Sequence, residues 1–310
     1  MELRQIKYFV AVAECGSLSG AVDNLHIAQP ALSYSIRTLE KELGAKLFVR
    51  SRQGMQLTSS GSAFLEYAHV MLRHAAQAKD VVRDAEDNPR GPVSIAMPPS
   101  VSNALAGELH TRLTSEYPGI ALNLDESLTS DLRQAFDSGL YDILIFFAVG
   151  QLENIHVEPL ISEELYFVTG IENMPDAPAE MAFEQLQNYE ITLPRMQHGV
   201  ERAISRIAMA NGFKLNLSAN TIGIYTLMNL VRRGTANTVV PWTLIGDDVD
   251  QHIVAAAKIV DPCINRVINL VTPTNRPQSN ACKVVIGLIR DIVRDLHSDG
   301  TWRGELLVES

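Results

Sequence analysis

Between residues 18 and 44 two helical patterns follow one another with only three to four residues between them, and no other feature restricts the fold of this chain as much. The second pattern is AQPALSYSIRTLEKELG, residues 28–44. Pro30 suits the first turn of a helix, where its missing N–H costs nothing, and Gly44 suits a left-handed stop after Leu43. Leu32, Ile36, Leu39 and Leu43 step by four, three and four, the stripe of a helix packed on a core. Gln29, Ser33, Arg37 and Lys41 step by four along another face. The shorter segment LSGAVDNLHI before it turns Leu18, Ala21, Val22 and Leu25 inward. A lone solvated helix face would look the same as the polar row. Two helices joined this tightly, however, predict a helix-turn-helix, whose second helix enters the DNA major groove by its N-terminal end, where Gln29, Ser33 and Arg37 stand.

Charge agrees with a division of labour. The chain of 310 residues carries a net charge of -10, yet residues 1–60 hold seven Lys or Arg against five Asp or Glu, and residues 91–310 hold 15 against 26. A near-neutral to basic module can meet phosphates while an acidic body is kept away from them. Directly after the helix pair, KLFVRSRQGMQLTSSG predicts two short strands around a basic turn, a wing that puts Arg50 and Arg52 at the DNA backbone or minor groove.

From Thr58 a long helical pattern follows, with Ser60 as its expected cap. Phe64, Ala68, Met71, Ala75, Ala78, Val82 and Ala85 alternate spacings of four and three, a heptad seam that predicts pairing with a second copy of the chain. EDNPRGP then reads as a hinge. Beyond it the rhythm becomes strand, helix, strand: VSIAM, IALNLDE and YDILIFFAV are separated by helical patterns at 104–116 and 130–138, which predicts an α/β domain with parallel strands. A second unit begins near EELYFVTG, and RVINLVTP with a helix over 280–297 returns to the first.

Several function classes lose support at this level. Cys15, Cys263 and Cys282 form neither a CxxC pair nor a disulfide framework, which suits a reducing compartment, and the eight histidines show no metal-ligand spacing. No nucleophile with a base, paired carboxylates or phosphate loop stands out, so no catalysis and no cofactor are expected. The opening MELRQIKYFVAVAECG is too polar for a signal peptide, and no apolar run reaches transmembrane length; a cytoplasmic protein without a membrane partner is expected.

The sixty residues from ELRQIKYFVAVAECG to MQLTSSG resemble the N-terminal domain of the LysR-type transcriptional regulators. The long helix, YPGIALNLDE, the Gly-Leu-Tyr-Asp turn and LVRRGTANTVVP extend the resemblance, and LHIAQPALS, VSIAMPPS, Leu193–Arg195 and GELLVES resemble the nitrogen-assimilation control branch. The resemblance implies a helix-rich winged helix-turn-helix domain (1–60), a linker and dimerisation helix (61–88), a hinge (89–92), and an α/β effector domain. That domain would have two Rossmann-like subdomains, similar to periplasmic binding proteins, formed by 93–162 with 268–300 and by 163–267. Double-stranded DNA, the chain itself as homodimer or homotetramer, and RNA polymerase are the implied partners. The DNA-binding residues expected are Gln29, Pro30, Ser33, Tyr34, Arg37, Lys41, Arg50 and Arg52. Tyr34, Ser35 and Thr38 depart from the basic or amide residues that many members carry there.

The resemblance also implies a small-molecule effector in the cleft between subdomains, with pocket positions at Ser100, Ser102, Thr129, Phe147, Arg195, Met196 and Tyr225. Hydroxyls and helix N-terminal amides at Ser100 and Thr129, with Arg195 as countercharge, suit an anion such as a carboxylate. Two alternatives stand beside this: capping hydroxyls with no effector, in a regulator controlled by its abundance, and a small-molecule-binding protein with no DNA role.

Overall fold

The computed structural model describes all residues except 52–53, 84–88, 127–135, 137–138, 148–153, 194–197, 219–222 and 309–310. They divide into two compact units, residues 1–87 with 137–140, and residues 88–136 with 141–310.

The first unit opens with α1 (Leu3–Cys15), α2 (Leu18–Leu25) and α3 (Gln29–Leu43). Ser17 starts α2 by accepting the Gly20 N–H at 3.1 Å, and α3 stops at Gly44, whose φ of 66° is the left-handed conformation expected there. The apolar faces meet in one core of Ile6, Phe9 and Val12 from α1, Ala21 from α2, and Leu32, Ile36 and Leu39 from α3. The stripe on α3 ends a turn earlier than its spacing suggests: Leu43 is 38% exposed, whereas Glu40 is 7% exposed. The cause is the chain beyond Gly44, which returns to α3 and brings the amides of Leu47 and Phe48 onto the Glu40 carboxylate.

Strands β1 (Phe48–Ser51) and β2 (Gly54–Leu57) pair antiparallel in the position of the expected wing. The long helix α4 (Ser59–Arg83) follows, and two expectations for it change. Its cap is Thr58, whose Oγ1 accepts the Gly61 N–H at 2.9 Å, while Ser60 lies inside the first turn. Phe64, Ala68 and Met71, the first three seam positions, pack into the core of α1–α3, with Ala68 fully buried. That part of the seam therefore serves the protomer's own module. Ala78 is exposed, the Val82 side chain and Ala85 lie outside what is described.

In the second unit β3 (Gly91–Met97), α5 (Pro99–Glu116), β4 (Ile120–Glu126) and β5 (Ile143–Phe146) form the expected parallel arrangement, with β3 between β4 and β5. The helix expected at 130–138 falls almost wholly outside the described residues. Strand β6 (Ile155–Gly170) is sixteen residues long, twice the extent read from EELYFVTG, and serves both halves of the unit. The second half adds β7 (Glu180–Ala182), β8 (Glu190–Ile191), α6 (His198–Ala210), β9 (Asn216–Leu217), α7 (Ile224–Arg232), β10 (Thr238–Pro241), α8 (Gly246–Asp250) and β11 (Val254–Val260). Strand β12 (Asn265–Pro273) then returns antiparallel to both β5 and β6, so the sheet is mixed where the sequence reads as parallel. The expected crossing points at 162/163 and 267/268 meet on one rung, Val267 opposite Ser162, next to a register shift at Ile268/Asn269.

Each half has its own apolar interior. Val101, Leu105 and Leu109 of α5 and Val285, Ile289 and Ile292 of α9 (Asn280–Ser298) fill the first. The second half is packed on both faces, one around Phe167, Phe183 and Ile204, the other around Val168, Leu227 and Val231. The tail continues past the expected limit at 300: Trp302 is fully buried in the first core, and β13 (Gly304–Leu306) pairs with β6 at Ile161–Glu163.

Candidate nucleic-acid interface and effector cleft

Burying Leu32, Ile36 and Leu39 turns the opposite face of α3 outward. Gln29, Pro30, Arg37 and Lys41 are exposed, Tyr34 is 69% exposed, and Ser33 is half-buried. The Arg37 Nε donates to the Ser33 carbonyl at 3.3 Å, which holds the guanidinium stem along the helix. Thr38 also bonds back, to the Tyr34 carbonyl at 2.9 Å. Arg50 is exposed on β1, and Arg52 lies outside the described residues. The face therefore offers one amide, two cations and an aromatic hydroxyl, groups that hydrogen-bond base edges or pair with phosphates.

In the second unit, Ser100 lies in the first turn of α5 and is 4% exposed. Its Oγ accepts from Arg266 Nη2 at 2.7 Å. The Arg266 guanidinium also pairs with Glu163, and the other Glu163 oxygen accepts the Trp302 indole N–H at 2.9 Å. Arg266 stands 4.9 Å from the centre of the Phe147 ring, which touches the cores of both halves. Ser100 and Phe147 are thus brought together through a cation that the sequence reading missed. Arg195, the expected countercharge, lies with Thr129 and Met196 outside the described residues; the cation bonded to Ser100 is Arg266. A charged residue opening the apolar strand RVINLVTP was the available signal, because a charge at such a place needs a buried partner.

Tyr225 begins α7 and is brought elsewhere, donating from its hydroxyl to Glu126 at the end of β4, at 2.9 Å to Oε2. Burial first, and then the Glu126 carboxylate, push the phenol above its ordinary range. Asn103 of α5 makes another bond between halves, from Nδ2 to the Thr243 carbonyl at 2.7 Å. Ser102, half-buried, contributes its amide to the first turn of α5.

Residues 3–62 match the family described as bacterial regulatory helix-turn-helix protein, lysR family, and residues 86–294 match the LysR substrate binding domain. The chain belongs to the LysR family of transcriptional regulators. It is 32% identical to the nitrogen assimilation regulatory protein nac of Klebsiella aerogenes over 247 residues, 78% of either chain. The nac protein of Escherichia coli (strain K12) is 26% identical over 295 residues, 92% of this chain and 94% of that one. Among solved structures, the LysR family regulator CbnR superposes with a TM-score of 0.74 at 22% identity, covering 94% of this chain and 99% of CbnR. Full-length CbnR complexed with its target DNA gives 0.71 at 22% identity, over 95% and 99%. As a LysR-type regulator the chain joins a DNA-binding helix-turn-helix to an effector-binding domain.

Proposed function

We propose that α3 reads base edges with Gln29, Ser33 and Arg37, while Pro30, Tyr34 and Lys41 line the groove and Arg50 and Arg52 meet phosphates. The observation that carries this is the exposed row Gln29, Arg37 and Lys41 on a helix whose other face, Leu32, Ile36 and Leu39, is buried. Residues 1–60 bind DNA, 61–88 pair protomers into dimers or tetramers, and the remainder carries the effector body, which signals to RNA polymerase without catalysing a reaction. The protein acts in the cytoplasm, on DNA. The test is DNA binding by single variants across a salt series. Arg50→Ala should weaken all sequences alike and lower the salt slope by about one unit, whereas Arg37→Ala should relax preference at one position for about 1–3 kcal/mol. Unchanged affinity and slope in both would sink the assignment.

For the cleft we propose a small anion, such as a carboxylate, held by Ser100, Ser102, Phe147 and Tyr225 together with Thr129, Arg195 and Met196. It would act by favouring one closure of the two halves over another. A second reading has its own support: Ser100 already accepts from Arg266 and Tyr225 already donates to Glu126, so two of the polar groups are satisfied within the chain. In that reading the regulator is effector-independent. Thermal-shift screening of carboxylates and nitrogen metabolites, followed by footprinting, separates the two. A compound that alters the footprint in the parent but not in Ser100→Ala supports the first.

A further inference from the structure

The wing has four rungs, from Phe48 opposite Leu57 to Ser51 opposite Gly54, a ribbon too short to hold its own direction in water. What aims it is a set of bonds near its turn and at its open end. On β2, the Met55 N–H donates to the Gly16 carbonyl in the turn between α1 and α2 at 2.7 Å. Gly54, at φ 120°, lies so close to that carbonyl that a Cβ would collide with it. At the open end, just past β2, Thr58 Oγ1 donates to the Lys46 carbonyl at 2.6 Å and the Thr58 N–H to the Leu47 carbonyl at 3.0 Å, both just before β1. Helix α3 hydrogen-bonds to this junction through Glu40. Its Oε1 accepts the Leu47 N–H at 2.9 Å and the Phe48 N–H at 3.3 Å, and its Oε2 takes Lys46 Nζ at 2.6 Å.

Glu40 occupies a place that the spacing of α3 allots to no core residue, and it is buried at a cost that only its three bonds offset. Packing alone would be served by a leucine. A carboxylate there ties the last turn of α3 to the first residue of β1, two positions before Arg50. We infer that Glu40 is a positioning residue for DNA binding: it fixes where Arg50 stands relative to the exposed row on α3, so that helix and wing meet one duplex as a single body. This rests on the reading that Arg50 contacts phosphate.

The experiment is a double-mutant cycle in the full-length protein, read as the salt dependence of binding to a mixed-sequence DNA duplex. In the parent, Arg50→Ala should lower the slope by about one unit, roughly a fourfold smaller loss of affinity between 50 and 200 mM salt. In Glu40→Ala the slope should already be lower by that amount, and adding Arg50→Ala should change it no further. Glu40→Gln keeps an oxygen for the two amides and should retain most of the Arg50 effect, a rescue that general destabilisation would not produce. An Arg50→Ala effect of equal size in the parent and in Glu40→Ala overturns the positioning role while leaving the wing reading intact. A silent Arg50→Ala in the parent overturns the wing reading and the positioning role with it. Glu40→Leu, which keeps the volume, repeats the cycle if the alanine variant does not fold. Failure of both to fold makes Glu40 a folding residue and refutes the proposal.

Discussion

Single residues in this chain are decided by what stands opposite them. Burial raises the Glu40 carboxyl, but the hydrogen bonds from Lys46 and from the Leu47 and Phe48 amides outweigh it and bring the group below its ordinary value. A carboxyl lowered in the folded state contributes stability above its unfolded pKa, and that contribution is lost as pH falls through the lower folded value. The parent should therefore lose stability toward acid more steeply than Glu40→Gln, as measured by urea midpoints of the first unit across pH 3–7 (roughly the carboxylate range). Glu163 presents the opposite hazard. Glu163→Ala leaves the Arg266 guanidinium buried without a countercharge and the Trp302 N–H without its acceptor, and should cost about 3–5 kcal/mol in urea unfolding followed by fluorescence. Both tryptophans, Trp242 and Trp302, lie in the second unit, so the signal reports that unit. Cysteines differ in the same way: burial pushes the Cys282 thiol up to about 12, and Cys263 is exposed. Mass spectrometry after brief alkylation at neutral pH should find Cys263 modified and Cys282 untouched.

At the scale of elements, α4 shows how one periodic pattern can serve two partners in succession. Its heptad seam runs from Phe64 toward Ala85, but Phe64, Ala68 and Met71 are already committed to the α1–α3 core. Met71→Asp should therefore destabilise the first unit itself, by about 2 kcal/mol or more, and abolish DNA binding whatever the oligomeric state. Pairing of protomers is better probed further along. Val82→Asp should leave the thermal midpoint of the first unit near the parent value while shifting sedimentation toward monomer; an intact dimer would count against the seam. The wing is the contrasting case, an element with almost no interior of its own, held by Glu40, Thr58 and Gly16.

Across the whole molecule, the first unit carries the exposed row of α3 and the second a mixed sheet whose longest strand belongs to both of its halves. The tail lies across those halves. Trp302 fills the first core, and Arg303 stacks 3.3 Å from the centre of the Trp242 ring in the second half. Trp302→Ala should cost about 3–5 kcal/mol in urea unfolding followed by circular dichroism, whereas Arg303→Ala, an exposed stack, should cost about 0.5–1 kcal/mol. Among the described residues no helix is long and apolar enough to cross a membrane.

The sequence by itself determined the elements whose information is local. The faces of α2 and α3, the first turn at Pro30 and the stop at Gly44, the wing and the parallel β3–β4 pair follow from spacings within a few residues, because side-chain direction repeats with the period of the element. Even there, Leu43 and Glu40 exchanged their expected places, since the periodicity of α3 carries no information about the chain that returns after Gly44. Only the tertiary structure decided which distant side chains meet. Arg266 meets Ser100 across 166 positions, Trp302 meets Glu163 across 139, and Tyr225 meets Glu126 across 99. A charge inside an apolar strand signals that a partner is needed. Which partner it finds depends on how β6 and β12 are laid side by side, and that register is set by packing over the whole unit rather than by either strand alone.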